Sequence, residues 1–145
     1  MKTLIQRVKH AEVEVDGKQI SAIQTGYLVF LGVKKGDGKE QAEQLAKKIA
    51  NLRIFEDENG KINRSISDVG GEVLAVSQFT LLANAAHGNR PDFLEAEVPV
   101  LAEPLYMFFC SCLRQYGLTV KQGIFGADMK IELLNDGPFT IMLEK

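Results

Sequence analysis

Residues 3–15 read TLIQRVKHAEVEV, and their spacing decides the fold. The segment is rich in β-branched residues, which suit a pleated, half-buried surface. In its second half Ala11, Val13 and Val15 alternate with Glu12 and Glu14. That period of two belongs to a strand with one face on a core and one in water. Asp16-Gly17 follows as a hairpin turn signal, and Gln19–Ile23 supplies the returning strand. Tyr27–Val33 (YLVFLGV) is apolar without alternation, as expected for a central strand buried on both faces.

Outward from this nucleus the period changes. Ala42, Leu45, Ala46, Ile49 and Ala50 lie at helical spacing and form one apolar stripe. Asp37, with Glu40 three residues on, reads as its cap and capping-box partner. Asp57–Lys61 (DENGK) is a turn cluster, and the chain from there to Gly70-Gly71 reads as irregular. Glu72–Leu82 (EVLAVSQFTLL) is the clearest strand, and residues 83–92 form an exposed loop. A second helix is predicted over Val100–Tyr116, with Pro99 near its start and Pro104 in an early turn or at a kink. Strands are predicted over Leu118–Ile124, Met129–Leu134 and Phe139–Leu143, the last two joined tightly through Asn135–Pro138. Strands with two widely separated helices imply a single α+β domain over residues 1–145. Its sheet is expected to be largely antiparallel, strongly curved and barrel-like.

A chain of 145 residues is long enough to bury a core without staples. Its net charge of −2 argues against a general nucleic-acid binder but leaves room for a local basic patch. Cys110 and Cys112 sit two apart on a predicted helix, where their side chains diverge, so no disulfide is expected between them. Met1–Val8 carries Lys2 and Arg7 and no long apolar run, and no stretch has the length of a membrane span. A cytoplasmic protein with reduced thiols is expected, with no membrane partner.

Catalytic side chains are scarce. His10 and His87 lie far apart, with no Cys, His or acidic neighbour at metal-ligand spacing, so neither a metal nor a cofactor is expected. There is no G-x-S-x-G elbow, P-loop or dinucleotide fingerprint. Two polar patches interrupt the apolar pattern. Ser77–Leu81 (SQFTL) reads as a strand leaving the core, in which Gln78 and Thr80 would share a face. Asn135–Pro138 (NDGP) reads as a hairpin turn, with a proline oddly placed before a strand. A Gly-Pro bond can adopt the cis form at modest cost.

Together these patches resemble the D-aminoacyl-tRNA deacylase family. Ser77–Leu81 is similar to the family's first motif and Asn135–Thr140 (NDGPFT) to its second. Leu4–Val8 (LIQRV), Gly88–Phe93 (GNRPDF) and Phe125–Met129 (FGADM) agree in the same order. The resemblance implies hydrolysis of the ester between a D-amino acid and the 3′ end of tRNA, in a homodimer whose sites lie at the interface. By the same resemblance Ser77, Gln78, Phe79 and Thr80 would hold the aminoacyl group. Gly137 and Pro138, joined by a cis peptide, would reach into the partner's pocket. Phe125 and Met129 would help enclose the terminal adenosine, and Arg7 would brace the Gly-Pro turn.

That arrangement has a physical logic. A rigid backbone element rejects an L side chain by exclusion where a flexible side chain would yield. Glycine has nothing to reject, so glycyl-tRNA should enter too. Backbone N–H groups near Gln78–Phe79 are candidates to stabilise the oxyanion. Thr80 has no nearby histidine or lysine in its motif to activate it as a nucleophile. The resemblance implies instead that the terminal 2′-hydroxyl of the RNA assists the attacking water. His87 stands where family members often carry a basic residue, which weakens the expected phosphate contacts of that loop. Arg90 fits a surface ion pair or an RNA contact equally. The alternatives are a non-catalytic tRNA- or DNA-binding module, and an esterase acting through Thr80.

Overall fold

A computed structural model describes residues 1–86 and 88–145, so the loop position His87 lies outside the described residues. The chain runs β1 (Lys2–Val15), β2 (Lys18–Ile23), β3 (Gly26–Gly32), α1 (Lys39–Ala50), β4 (Arg53–Glu56), β5 (Ile62–Ser65), β6 (Glu72–Ser77), α2 (Pro99–Gln115), β7 (Thr119–Gln122) and β8 (Lys130–Glu144). One-turn 3₁₀ helices occupy Ser67–Val69 and Phe79–Leu82.

The expected hairpin is present. Asp16 and Gly17 both adopt positive φ, 51° and 74°, the combination that a two-residue turn between right-twisted strands requires. β1 is long enough to hold β3 along residues 2–8 and β2 along residues 11–15 of one edge. β8 runs antiparallel along its other edge. β3 pairs with β6, and β6 with β7. Ser21 Oγ donates to the Gln122 carbonyl (2.9 Å) and Lys121 Nζ to that of Ala22 (2.7 Å), which bends β2 toward β7 and nearly closes the sheet.

Two junctions of that sheet, β3·β6 and β6·β7, are parallel, where the composition read as largely antiparallel. The inserted helices explain them. A parallel return needs a crossover of a dozen or more residues, and α1 and α2 lie inside those two connections. At Gly26 a β-carbon would overlap the Glu72 carbonyl, so the β3·β6 approach requires glycine there.

β3 shows why its sequence is apolar throughout. Tyr27, Val29 and Leu31 face the layer that also contains Leu45 and Ile49 of α1 and Phe109 and Leu113 of α2. Leu28 faces the opposite cluster with Val8, Val13, Leu74 and Val76, inside the curve of the sheet. Each such aliphatic contributes about 1.5–3 kcal/mol by burial. Cys110 and Cys112 are free and buried in the helical layer, and burial pushes the Cys110 thiol up to about 11.

Four local expectations need correction. Asp37 does not cap α1. Gly38 occupies the cap, and its N–H donates to Gln41 Oε1 at 2.8 Å. The Asp37 carboxylate instead meets the Met1 ammonium (2.7 Å) and the Lys34 N–H (2.6 Å). The chain from the Asp57–Lys61 turn to Gly70-Gly71 is not irregular throughout, because Ile62–Ser65 forms β5 and pairs with β4 in a small separate hairpin around that turn. β6 ends at Ser77 and the chain turns into a 3₁₀ helix, so Thr80 is not on a strand. Finally, Asn135–Pro138 is not a hairpin turn. Both flanking segments pair with the same edge of β1, and the intervening residues bulge out of one continuous strand. Among the described residues no helix is long and apolar enough to cross a membrane.

Candidate active site

The last β3·β6 ladder positions place Leu31 opposite Ser77. Gln78 N–H then donates to the Leu31 carbonyl at 2.8 Å, and Gln78 leaves the strand at φ −146°, ψ 81°. The following turn closes through Leu81 N–H to the Gln78 carbonyl (3.2 Å) and Ala83 N–H to that of Thr80 (3.1 Å). Phe79 and Thr80 open this turn, so their N–H groups have no acceptor within it. Of the backbone donors near Gln78–Phe79, that of Gln78 is therefore engaged, while those of Phe79 and Thr80 have no acceptor among the described residues.

This turn forms one wall of an open pocket of about 680 Å³, a size suited to a small ligand. The pocket lies beyond the carboxyl ends of the parallel strands β3 and β6. Ser77, Gln78 and Phe79 line it from one side, and Phe125 and Met129 from the segment entering β8. Pro99 and Ala102 at the start of α2 close another side. Phe79 is 57% exposed and meets Phe93 edge-on at a centroid distance of 5.1 Å. Phe125 leans on Tyr106, whose hydroxyl donates to the Ala75 carbonyl at 2.9 Å. Burial raises the Tyr106 phenol above its ordinary range, so it remains a neutral wall. Three charged residues also line the pocket: Lys35, Glu97 and Asp128.

Thr80 lies beside this pocket and not in its lining. Its hydroxyl oxygen accepts from the Gln78 side-chain amide. No histidine or lysine side chain is hydrogen-bonded to that hydroxyl among the described residues to act as its base. Among the described residues no three His, Cys, Asp or Glu side chains converge at metal-binding range.

Arg7, Gly137 and Pro138 form a second cluster, and none of the three lines the pocket. Gln6 pairs with Thr140 and Val8 with Asn135, so the four residues 136–139 bulge out opposite Arg7 alone. Arg7 is 4% exposed. It donates through Nε to the Asp136 carbonyl (3.2 Å), through Nη2 to that of Gly137 (3.3 Å) and through Nη1 to that of Ile54 (2.5 Å). Its guanidinium lies 4.5 Å from the Phe139 ring centre. The Asp136 carboxylate meets both Arg7 and Lys9 at 3.1 Å. The Asn135 amide closes the base of the bulge, donating to the carbonyls of Arg7 (2.9 Å) and Phe139 (3.2 Å). Gly137-Pro138 is a cis peptide, and both residues are exposed. Composition did not single out Asn135, because its work depends on a strand more than a hundred residues away.

The fold and the pocket define a small α+β protein whose open cavity lies beside the turn at Phe79–Leu82 and whose second motif stands apart on a braced bulge. Residues 4–144 match the family described as "D-Tyr-tRNA(Tyr) deacylase". A protein of Lactobacillus delbrueckii subsp. bulgaricus named "D-aminoacyl-tRNA deacylase" is 54% identical over 144 residues, covering 99% of each chain. One of the same name from Parabacteroides distasonis is 54% identical over 145 residues, covering 99% of this chain and 97% of the other. The solved structure of "c-Myc DNA Unwinding Element Binding Protein" superposes with a TM-score of 0.93 at 46% identity, covering 100% of this chain and 99% of that one. The chain belongs to the D-Tyr-tRNA(Tyr) deacylase family.

Proposed function

We propose that this protein hydrolyses the ester joining a D-amino acid to the 3′ end of tRNA, in a site completed by a second copy of the chain. The observation that carries this reading is the separation of the two motifs. The Ser77–Phe79 wall lines the pocket, while Gly137 and Pro138 stand exposed on a braced bulge outside its lining. A bulge held by two Arg7 hydrogen bonds, with open space around its Gly137 within its own chain, is built to fit another surface.

In this reading Ser77, Gln78 and Phe79 hold the aminoacyl ester, and Phe125 and Met129 enclose the terminal adenosine. The N–H groups of Phe79 and Thr80 receive the oxyanion, a preorganised pair that needs no rearrangement as charge develops. The attacking water is assisted by the terminal 2′-hydroxyl, and Thr80 is not the nucleophile. The partner's Gly-Pro backbone occupies the position of an L side chain and excludes it, and glycyl-tRNA is accepted because it presents nothing to exclude.

The deciding assay compares release of amino acid from D-tyrosyl-, L-tyrosyl- and glycyl-tRNA, with the mass in solution measured alongside. The D and glycyl esters should be cleaved and the L ester spared, by a species of twice the 16.0 kDa chain mass. Equal cleavage of D and L esters, or a fully active monomer, would refute the shared-site reading.

A further inference from the structure

The three charged residues of the pocket are not equivalent. Glu97 Oε1 accepts from the Val98 N–H at 2.9 Å, at the start of α2. The Asp128 carboxylate pairs with Lys130 at 2.9 Å. Lys35 makes no side-chain hydrogen bond or ion pair among the described residues, and it is exposed at the pocket mouth. Its backbone is nonetheless fixed: Lys35 N–H donates to the Glu95 carbonyl at 2.9 Å, and Lys34 bridges Ala96. The neighbouring Lys34 is neutralised by Glu95 at 3.4 Å. Of two adjacent lysines, one is paired and the other stands over the cavity.

The cavity walls are mostly apolar and aromatic: Leu31, Phe79, Phe93, Tyr106, Phe125 and Met129. An amino acid and a nucleoside can enter such a space, but a phosphodiester cannot shed its water there without a partner. The phosphodiester on the 5′ side of the terminal nucleotide must therefore stay at the mouth. In a protein of net charge −2 no general field draws RNA in, so a single local cation has a large share in engaging that end.

We propose that Lys35 binds the phosphodiester immediately 5′ of the terminal adenosine and so seats the tRNA end at the pocket. This rests on the deacylase reading above. It makes Lys35 a substrate-binding residue with no part in the bond cleavage.

The test uses two substrates that differ in that group: D-tyrosyl-tRNA, and D-tyrosyl adenosine esterified at the 3′ oxygen with no phosphate. Steady-state kinetics are measured for the wild type, Lys35→Gln and Lys35→Arg across a salt series. Lys35→Gln should raise KM on the tRNA several-fold with kcat little changed, and its penalty there should exceed the penalty on the adenosine ester several-fold. The dependence of log KM on log salt should flatten by about 0.7, the share of one phosphate on a single strand. Lys35→Arg should restore most of the loss. Equal penalties on both substrates, or an unchanged salt slope, would overturn the assignment while leaving the deacylase reading intact. Failure of the wild type to cleave either ester would remove both.

Discussion

Arg7 and Gly137 lie 130 residues apart in sequence, yet Arg7 Nη2 donates to the Gly137 carbonyl at 3.3 Å across the β1·β8 bulge. Nε of the same guanidinium binds the preceding carbonyl, of Asp136, at 3.2 Å. A planar fork can hold two consecutive carbonyls in one orientation, which a lysine ammonium cannot do. Arg7→Lys should therefore keep the charge and lose the orientation. The D-to-L hydrolysis ratio should fall in Arg7→Lys and further in Arg7→Ala. Arg7→Ala should also lose about 3 kcal/mol of stability, since it orphans the buried Ile54 carbonyl, frees the two bulge carbonyls and leaves Asp136 with Lys9 alone. Selectivity is then measured well below each variant's Tm. An unchanged ratio in both variants would remove Arg7 from the account of chirality.

Gly137→Ala separates folding from function. A β-carbon at Gly137 meets nothing within 4 Å in its own chain, and Gly137 is not among the glycines at positive φ. Stability should change by no more than about 0.5 kcal/mol. If Gly137 sits in the partner's pocket, the added methyl displaces substrate there, and a misplacement of about 1 Å can cost about 100-fold. Thermal melts and turnover measured together decide this. Wild-type turnover in the alanine variant would place the bulge outside the site.

Thr80→Ala removes a hydroxyl whose oxygen accepts from the Gln78 amide. Loss of that contact should lower turnover by about tenfold or less, through the position of Gln78. Loss of a true covalent nucleophile would cost more than about 10⁴-fold. Single-turnover rates on D-tyrosyl-tRNA distinguish the two, and a dead but tRNA-binding variant would make Thr80 the nucleophile.

Phe79→Pro tests the oxyanion donors without moving the backbone. Phe79 is the first residue of its 3₁₀ turn, where proline is tolerated because the N–H is unpaired in any case. Gln78, at φ −146°, ψ 81°, lies outside the α region that a following proline disfavours. Phe79→Ala controls for the lost ring. The proline variant should fall about 10²–10³-fold below the alanine variant in kcat, as expected for one oxyanion donor. Equal rates would mean that the Phe79 N–H does not meet the developing charge.

What was readable from residues follows the range of the interactions involved. The β1–β2 hairpin, the buried β3 and the α1 stripe depend on neighbours within a few positions, and their periods show it. The Asn135–Pro138 segment carries the same turn residues whether the chain reverses or bulges. Only the 14-residue length of β1, which lets one strand serve both halves of β8, decides between them. The parallel junctions are likewise non-local, because nothing in Val73–Val76 encodes which way its neighbour runs. The two family motifs fall on the pocket wall at Ser77–Phe79 and on the β8 bulge at Asp136–Phe139. Their placement on different parts of the surface, and the position of Lys35 at the pocket mouth, needed three dimensions.

That placement leads to a test of the shared site itself. Phe79→Pro damages the pocket of its own chain and leaves the bulge untouched. Gly137→Ala changes the bulge and leaves the pocket of its own chain untouched. In a dimer with isologous symmetry each pocket is served by the other chain's bulge. A heterodimer of the two variants then has one site with both defects and one with neither. Co-expression with two different affinity tags and purification on both isolates that species. Its turnover on D-tyrosyl-tRNA should return to about half the wild-type rate, although both parents are impaired. If each chain instead used its own bulge, every site in the heterodimer would carry one defect, and turnover would stay at the average of the two parents.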